Sequence, residues 1–314
     1  MRIAFIIDPP HTLKPAKDSS IAMMRAARNA GHAVWVIEQP ALYAAAHGVC
    51  AEAAHLEISG NDARWYQEIA REALPLHDFS AVLMRKDPPF DMEYVTTTWL
   101  LERAEAEGAR VFNRPAALRD HSEKLAILEF PQFTAPTLVA REAAPIQAFI
   151  DAQQDCVLKP LDGMGGSQVF RVRADDPNRN VIIETLTRLG RRTIMAQRHI
   201  PEISQGDKRI LIVDGQVVPY CLARIPKAGE TRGNLAAGGR GLVQPLSARD
   251  REIAEALAPA LTARGLLFVG IDVIGDYLTE INVTSPTCMV EIARDSGFDA
   301  AALLIAALER HCAP

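Results

Sequence analysis

The sequence lacks two features that would assign it to a nucleic-acid-binding or membrane class. Lysine and arginine are not in excess: 34 of them stand against 39 aspartates and glutamates, and the formal net charge is -5. A surface that binds nucleic acid or an anionic membrane needs a basic excess, so both partners are excluded. No segment approaches the roughly 18 consecutive apolar residues of a membrane span.

Cysteine is scarce and scattered. The five cysteines are odd in number, widely spaced and without a C-x-x-C pair: Cys50, Cys156, Cys221, Cys288 and Cys312. This predicts reduced thiols, and neither a disulfide framework nor a zinc site. The apolar run in MRIAFIIDPP is too short for a secretory signal and indicates a buried first strand. We therefore expect a soluble protein of the cytoplasm.

Residues 1–115 alternate strand and helix signals. The apolar runs RIAFIID, HAVWVIE, AVLMRK and RVFN indicate four strands. Capping residues at 18–20 begin a helix that Gly31 ends, and a second helix is expected over 91–107. This alternation predicts a parallel, doubly wound α/β sheet.

Charged residues follow two of these strands. Asp8 comes after the first strand and Arg85 and Asp87 after the third, in each case beside a pair of prolines. Prolines favour extended backbone in the residue before them. Ligands of such sheets bind beyond the carboxyl ends of the strands, so we expect these three residues at the ligand crevice.

After about residue 116 the pattern changes. The run LRDHSEKLAILEF (118–130) predicts a helix, and short strands follow it. Asp214-Gly215 is a strong hairpin signal, and a second hairpin lies between helices expected at 247–264 and 298–311. Hairpins with flanking helices predict α+β lobes.

A glycine-rich turn, KPLDGMGGSQVFRV, occupies 159–172. Consecutive N–H groups of such a turn can surround phosphate oxygens, while Lys159 supplies positive charge. The alternative is an ordinary hairpin turn whose glycines adopt positive φ. The pattern matches neither a Walker A loop nor G-x-G-x-x-G, and on these residues alone both interpretations stay open.

Three polar residues interrupt the last, otherwise apolar hairpin. A two-residue loop would put Asp272 and Glu280 on opposite faces, whereas a three-residue loop at 275–277 pairs them and places Asn282 two positions further along. Only the longer loop separates polar from apolar side chains, so we predict it. Two carboxylates and an amide oxygen suit Mg²⁺. The alternative is a solvated face of an amphipathic hairpin.

Basic residues recur at strand ends and in a loop. Arginine binds carboxylates and phosphates with two parallel hydrogen bonds, although a lysine or arginine is more often a solvated surface charge. The candidates are Lys124, Lys159, Arg209, Arg224, Arg232 and Arg240.

Five segments, in this order, closely resemble the bacterial-type glutathione synthetase family of the ATP-grasp superfamily. They are DSS at 18–20, LMRKDPPFD at 83–91, LKPLDGMGG at 158–166, PYCLARIPKAGETRGNLAAGGRG at 219–241 and TEINVTSPT at 279–287. The resemblance implies an α/β N-terminal parallel-sheet (pre-ATP-grasp) domain over 1–120. It further implies two α+β lobes of an ATP-grasp fold, at 121–200 and 201–314.

The same resemblance implies the reaction and its ligands. ATP, γ-glutamylcysteine and glycine would give glutathione, ADP and phosphate through an acylphosphate. The cofactors would be ATP and Mg²⁺, with Mn²⁺ as an alternative metal, and the assembly would be a homotetramer.

Site residues are implied position by position. The nucleotide would be held by Lys124, Lys159, Gly163, Met164, Gly165, Gly166, Ser167, Gln197, Arg198, His199, Ile200 and Asp207. Asp272, Glu280 and Asn282 would bind the metal. Arg209, Arg224 and Arg232 would act on the reacting groups. Ser19, Arg85, Arg224 and Gly239 would bind substrate.

The stretch IPKAGETRGNLAAGGRG (225–241) is the least able to contribute to a core. It has five glycines, two arginines and a lysine. We predict a lid whose glycines permit movement and whose arginines meet anionic ligands; the alternative is a disordered linker.

Three other functions compete. Another carboxylate–amine ligase of the superfamily would share the nucleotide residues but lack MRKDPPFD. A small-molecule kinase would stop at a phosphate ester. A nucleotide sensor would not need so full a metal site.

Overall fold

The computed structural model describes residues 1–163, 165–230, 232–233 and 238–313. Within these ranges the chain forms three sheets with helices packed on them, and no helix is both long enough and apolar enough to cross a bilayer.

The strands, in chain order, are β1 (Arg2–Ile7), β2 (Ala33–Glu38), β3 (Leu42–Ala45), β4 (Gly48–Ile58), β5 (Tyr66–Pro75), β6 (Ala81–Met84), β7 (Val111–Phe112), β8 (Thr137–Ala140), β9 (Asp155–Pro160), β10 (Phe170–Arg173), β11 (Ile194–Arg198), β12 (Asp207–Val213), β13 (Gln216–Ile225), β14 (Arg240–Pro245), β15 (Phe268–Ile274) and β16 (Tyr277–Asn282). The helices are α1 (Ser19–Asn29), α2 (Met92–Ala106), α3 (Pro115–Asp120), α4 (Ala143–Gln153), α5 (Arg179–Thr187), α6 (Ala248–Ala263), α7 (Met289–Ser296) and α8 (Ala300–Cys312).

The first sheet contains the four strands that the apolar runs predict. β1 pairs in parallel with β2 and β6, and β6 pairs in parallel with β7. α1 begins after Asp18, whose side chain accepts a hydrogen bond from the Ile21 N–H, and α2 begins after Asp91 in the same way. The carboxyl ends of β1 and β6 therefore lie side by side, as expected.

The same sheet is larger and more mixed than the sequence indicates. β4 pairs antiparallel with β2, β3 and β5, so residues 42–75 extend the sheet instead of merely connecting its predicted strands. β5 alternates poorly and is mostly exposed, because it lies at the edge of the sheet. Its position depends on pairing with β4, a long-range contact that local periodicity does not encode.

The second and third sheets are antiparallel. The second has the order β10-β9-β11-β8, and the third has the order β14-β13-β12-β15-β16. β12 and β13 turn at Asp214-Gly215, both with positive φ, as the hairpin signal predicts. Packed apolar side chains join the first and third sheets, whereas the second sheet packs with α4 and α5 around a core of its own.

The helix predicted over 118–130 does not form as one unit. α3 ends at Asp120, and the chain resumes only as a 3-10 turn at Leu125–Glu129. Between them the Glu123 carbonyl accepts a hydrogen bond from the Ile281 N–H, and its carboxylate accepts others from Val283 and Thr284. The first of these long-range bonds occupies the Glu123 carbonyl, which in a continuous helix would accept from the residue four positions later.

Candidate active site

A cleft lies between the second and third sheets, and residues of both sheets line it. It is lined by fourteen of the residues assigned from the sequence: Lys124, Lys159, Gly163, Gly165, Gly166, Ser167, Gln197, Arg198, His199, Ile200, Asp207, Arg232, Asp272 and Glu280. Met164 lies outside the described residues. The lining omits Arg209, Arg224, Asn282, Ser19, Arg85 and Gly239.

Two buried lysines reach this cleft from different elements. Lys159 is on β9, and Lys124 stands just before the 3-10 turn. Their Nζ atoms lie 3.8 Å and 3.4 Å, respectively, from Glu280 Oε1. Burial lowers the pKa of Lys159, while Glu280 opposes that shift. Although burial also disfavours the ionised carboxylate, Lys124 and Lys159 hold the pKa of Glu280 below its ordinary value.

The register of the last hairpin brings Asp272 and Glu280 together. They are direct partners across β15 and β16, as predicted. The predicted three-residue loop is wrong: Ile274 pairs with Tyr277, so the loop has two residues. The register then shifts by one at Thr279, a β-bulge that returns Glu280 to the face of Asp272.

The reverse face of this hairpin is apolar and buried, as the segregation of side chains requires. It contributes Val269, Ile271, Val273, Leu278, Ile281 and Val283 to the core. Asn282 lies opposite Gly270, and its Nδ2 donates to the Gly270 carbonyl at 3.2 Å. Unlike the two carboxylates, Asn282 is not part of the cleft lining.

Asp272 is clamped by two arginines. Arg209, its partner on β12, contacts both carboxylate oxygens, with 3.0 Å between Nη2 and Oδ2. Arg224 Nη2 lies 2.9 Å from the same Oδ2. Burial opposes ionisation of Asp272, yet the two guanidinium groups overcome it and keep the pKa of Asp272 below its ordinary value. Both arginines are thus buried and paired with Asp272, and neither is part of the cleft lining.

Asp207 contributes a carboxylate of different character. Burial raises its pKa to about 6, against the opposing effect of Arg224, whose Nη2 lies 2.6 Å from Asp207 Oδ2. Its other oxygen, Oδ1, is buried and has no partner among the described residues. His199 Nε2 is likewise buried without a partner among the described residues, and both residues line the cleft.

The adenine-side segment predicted at 197–200 forms the end of β11 and the residues after it. Gln197 Nε2 donates to Thr137 Oγ1 at 3.0 Å, and the His199 N–H donates to the Asp155 carbonyl at 2.8 Å. Arg198 Nη2 donates to the Tyr277 hydroxyl at 2.9 Å and so joins the second sheet to the third. The cleft wall is fixed by side-chain and backbone bonds alike.

The glycine-rich turn faces the loop that follows β13. Gly165 and Gly166 have φ of 62 and 80, which glycine adopts without strain. Arg232 Nη1 donates to the Gly166 carbonyl at 3.2 Å, and Arg232 also pairs with Glu230. The glycine turn and the loop are therefore in contact across the cleft.

The loop is shorter than 225–241. Ile225 pairs with Arg240, so both ends of that range belong to β13 and β14, and the connection runs from 226 to 239. A Cβ added to Gly239 would lie 2.4 Å from the Gly233 carbonyl oxygen, so the loop backbone passes close to itself there. Residues 231 and 234–237 lie outside the described residues.

Ser19 and Arg85 lie apart from the cleft, where the first sheet meets the segment before α7. The Ser19 hydroxyl accepts from the Met289 N–H at 3.3 Å. Arg85 donates to Ser20 Oγ and to the Pro286 carbonyl at 3.2 Å and 2.9 Å. Its Nη1 is buried without a partner among the described residues.

The sequence reasoning missed Glu123. It precedes the predicted nucleotide lysine directly, yet the expected helix over 118–130 made it one polar residue of a helix face. An acidic residue beside Lys124 was the only available signal.

Comparison with protein families matches both parts of the chain. Residues 1–119 match the N-terminal domain of prokaryotic glutathione synthetase, and residues 123–297 match its ATP-grasp domain. Similar curated proteins carry the name glutathione synthetase. That of Ralstonia nicotianae is 58% identical over 310 residues, covering 99% of this chain and 96% of that protein. That of Nitrosomonas europaea is 57% identical, covering 100% and 99%.

Solved structures of low sequence identity share the fold. D-cycloserine synthetase superposes with a TM-score of 0.70 at 16% identity, covering 99% of both chains. The ATP-grasp ligase PsnB, solved with a minimal precursor, Mg and ADP, gives a TM-score of 0.62 at 17% identity, covering 99% of this chain and 98% of that one.

Proposed function

The chain belongs to the prokaryotic glutathione synthetase family, and from that premise we propose that it joins γ-glutamylcysteine to glycine through an acylphosphate formed with ATP. Membership makes it an ATP-dependent ligase of glutathione biosynthesis. The observation that carries the site assignment is the meeting of Lys124 and Lys159 with Glu280 in one cleft, beside Asp272.

The proposed reaction has two steps. A carboxylate oxygen of the cysteine unit attacks the γ-phosphorus of ATP, and ADP leaves with the electron pair of the broken P–O bond. The glycine amine then attacks the acyl carbon; the amide C–N bond forms, the C–O bond to phosphate breaks, and the amine loses a proton. Activation is needed because oxide is a poor leaving group. The protein mainly positions the reactants and neutralises charge.

The cationic residues fit this task. Lys124 and Lys159, with the N–H groups of the glycine turn, would bind the phosphates of ATP. Glu280 forms ion pairs with both lysines in this structure, so the phosphates of a bound nucleotide would share these contacts or replace them. Asp207 Oδ1 and His199 Nε2, which have no hydrogen-bond partner within the described ranges, support a polar occupant of the cleft.

Asp272 and Glu280 also fit a divalent cation. Both have depressed pKa values and are ionised at neutral pH, and they share one face of the hairpin. Hard cations such as Mg²⁺ prefer oxygen ligands of this kind. Mg²⁺, or Mn²⁺ in its place, would neutralise phosphoryl charge when bound. Asn282 stays a predicted third ligand, and Arg209 and Arg224, which hold Asp272 in place, stay predicted partners of the reacting anions.

Ser19 and Arg85 would hold the dipeptide. Arg85 has a buried Nη1 with no partner in the described part of the chain, and a guanidinium binds a carboxylate with two parallel hydrogen bonds. The contact between Arg232 and the Gly166 carbonyl supports a lid that closes over the loaded site, with Gly239 in the same loop. Closure would protect the acylphosphate from water. We also propose the homotetramer that the resemblance implies.

Transfer of oxygen tests the acylphosphate. γ-Glutamylcysteine labelled with ¹⁸O in its cysteine carboxylate is incubated with ATP, Mg²⁺, glycine and the enzyme. The proposal requires one labelled oxygen in each phosphate released, because that oxygen bridges carbon and phosphorus in the intermediate. Unlabelled phosphate formed together with glutathione would refute the acylphosphate. The nearest rivals are other carboxylate–amine ligases of the superfamily. Release of phosphate when D-alanine replaces both substrates would indicate such a ligase.

A further inference from the structure

We propose that Glu123 is a positioning residue of the nucleotide site, which fixes Lys124 relative to Glu280. The inference rests on the proposed role of Lys124 in binding ATP. It goes beyond that role, because the hydrogen bonds of Glu123 within the described residues go to the last hairpin and not to the nucleotide lysines or the glycine turn.

Glu123 is bonded to the end of the last hairpin at four points. One carboxylate oxygen, Oε1, accepts from the Val283 N–H at 2.9 Å, the Thr284 N–H at 3.0 Å and the Thr284 hydroxyl at 2.9 Å. Its backbone carbonyl accepts from the Ile281 N–H at 2.9 Å. β16 is the edge strand of the third sheet, and Glu123 pairs with its outer edge, where Thr134 also forms a bridge with Leu278.

These bonds place two neighbouring pairs side by side. Glu123 is joined to Ile281, and the residues next to them, Lys124 and Glu280, form the ion pair in the cleft. Lys124 Nζ also donates to the Gly163 carbonyl at 2.6 Å, at the start of the glycine turn. Because the backbone is fixed one residue before Lys124 and one residue after Glu280, we expect the lysine ammonium to stay beside Glu280 and the glycine turn.

The competing explanation is a purely structural link between the connecting segment and the third sheet. Such a link would affect stability without changing nucleotide affinity. Glu129, on the same segment, provides the matched control: it pairs with Arg264 at the end of α6, and its carboxylate is about half exposed. Glu129→Ala removes a carboxylate and an ion pair from the segment without touching the residues that hold Lys124.

The test measures the Kd of ADP with Mg²⁺ by calorimetry, beside the KM for ATP, kcat and Tm. Glu123→Ala removes hydrogen bonds to a charged acceptor. We therefore expect the Kd of ADP and the KM for ATP each to rise about tenfold. Glu123→Gln keeps an acceptor oxygen at the same place and should stay within about threefold of the parent. Glu129→Ala should leave the Kd of ADP and the KM for ATP unchanged, whether or not it lowers Tm. Glu123→Asp, which withdraws the carboxylate by one methylene, replaces the alanine variant if that variant does not fold.

A double-mutant cycle separates this inference from the proposed function. If Glu123 acts through Lys124, Glu123→Ala has no further effect on the Kd of ADP once Lys124→Ala is present. An unchanged Kd in Lys124→Ala alone would overturn the assignment of Lys124. A large effect of Lys124→Ala with none of Glu123→Ala, or additive effects of the two, would overturn the positioning role.

Discussion

Asp272 and Glu280 lie directly opposite each other on β15 and β16, although only Gly275 and Asp276 connect the two strands. With regular pairing, that loop would send the two carboxylates to opposite faces of the sheet. Thr279 is the extra residue of a β-bulge, which returns the Glu280 side chain to the face of Asp272. The Thr279 hydroxyl donates to the Asp272 carbonyl at 3.1 Å. A β-bulge is a common means of aiming a side chain at a functional site.

The first prediction concerns the metal. Glu280→Gln removes one of the two ionised carboxylates and leaves Lys124 and Lys159 without their shared anionic partner. We expect the Mg²⁺ concentration for half-maximal activity to rise at least about tenfold, since a hard cation loses a charged ligand. Titration of activity with Mg²⁺ at saturating substrates measures it.

Glu202→Gln is a suitable control, because that exposed carboxylate lies in the 3-10 turn after β11 and outside the cleft lining. A Glu280→Gln enzyme with the parental Mg²⁺ dependence would contradict the assignment.

The second prediction concerns closure. Arg232→Ala removes the contact with the Gly166 carbonyl. Because this contact joins the loop to the glycine turn, kcat should fall about tenfold and the Kd of ADP should change less than about threefold. Steady-state kinetics and calorimetry separate the two effects. Arg251→Ala, on the exposed face of α6, should change neither, and equal losses in kcat and affinity would refute a lid.

The third prediction concerns the dipeptide. Arg85→Lys keeps the positive charge but loses the forked donor geometry that a carboxylate needs. The KM for γ-glutamylcysteine should rise about tenfold or more while the Kd of ADP stays unchanged. Arg103→Ala, at the exposed end of α2 where Arg103 pairs with Glu107, provides the control. A larger effect on ADP than on the dipeptide would place Arg85 in a different role.

The fourth prediction concerns pH. Burial, with a smaller effect of Arg264, lowers the pKa of His121 to about 4 from its ordinary 6.5. Between pH 6.5 and pH 4, His121 is therefore protonated in the unfolded chain but not in the folded one. The free energy of unfolding consequently decreases as the pH falls from 6.5 towards 4. At pH 5 this amounts to a loss of about 2 kcal/mol relative to pH 7.5.

Urea unfolding at pH 7.5 and pH 5 measures this contribution. His121→Asn should lose less unfolding free energy than the parent between the two pH values, by about that amount. A His47→Asn variant, at an exposed position between β3 and β4, is the matched control for replacing a histidine by asparagine. Identical pH dependence in parent and His121→Asn would show that His121 does not titrate as its burial requires.

Local sequence was sufficient for the elements whose reasons are local. β1, β2 and β6 follow from apolar runs, α1 from its capping residues at 18–20, and the Asp214-Gly215 hairpin from its turn residues. The order of the motifs was sufficient for the family. Segregation of polar and apolar side chains was also enough to pair Asp272 with Glu280, since one face of that hairpin had to be buried.

Only the tertiary structure decided the features that depend on distant partners. The bulge at Thr279 reconciles a short loop with a buried face, and the bonds of Glu123 to β16 interrupt an expected helix. Asp272 holds Arg209 and Arg224 through pairing of three strands. Sequence periodicity reports which side of an element is apolar; it does not report which remote donor will satisfy a given backbone carbonyl or carboxylate, because that depends on how the whole chain packs.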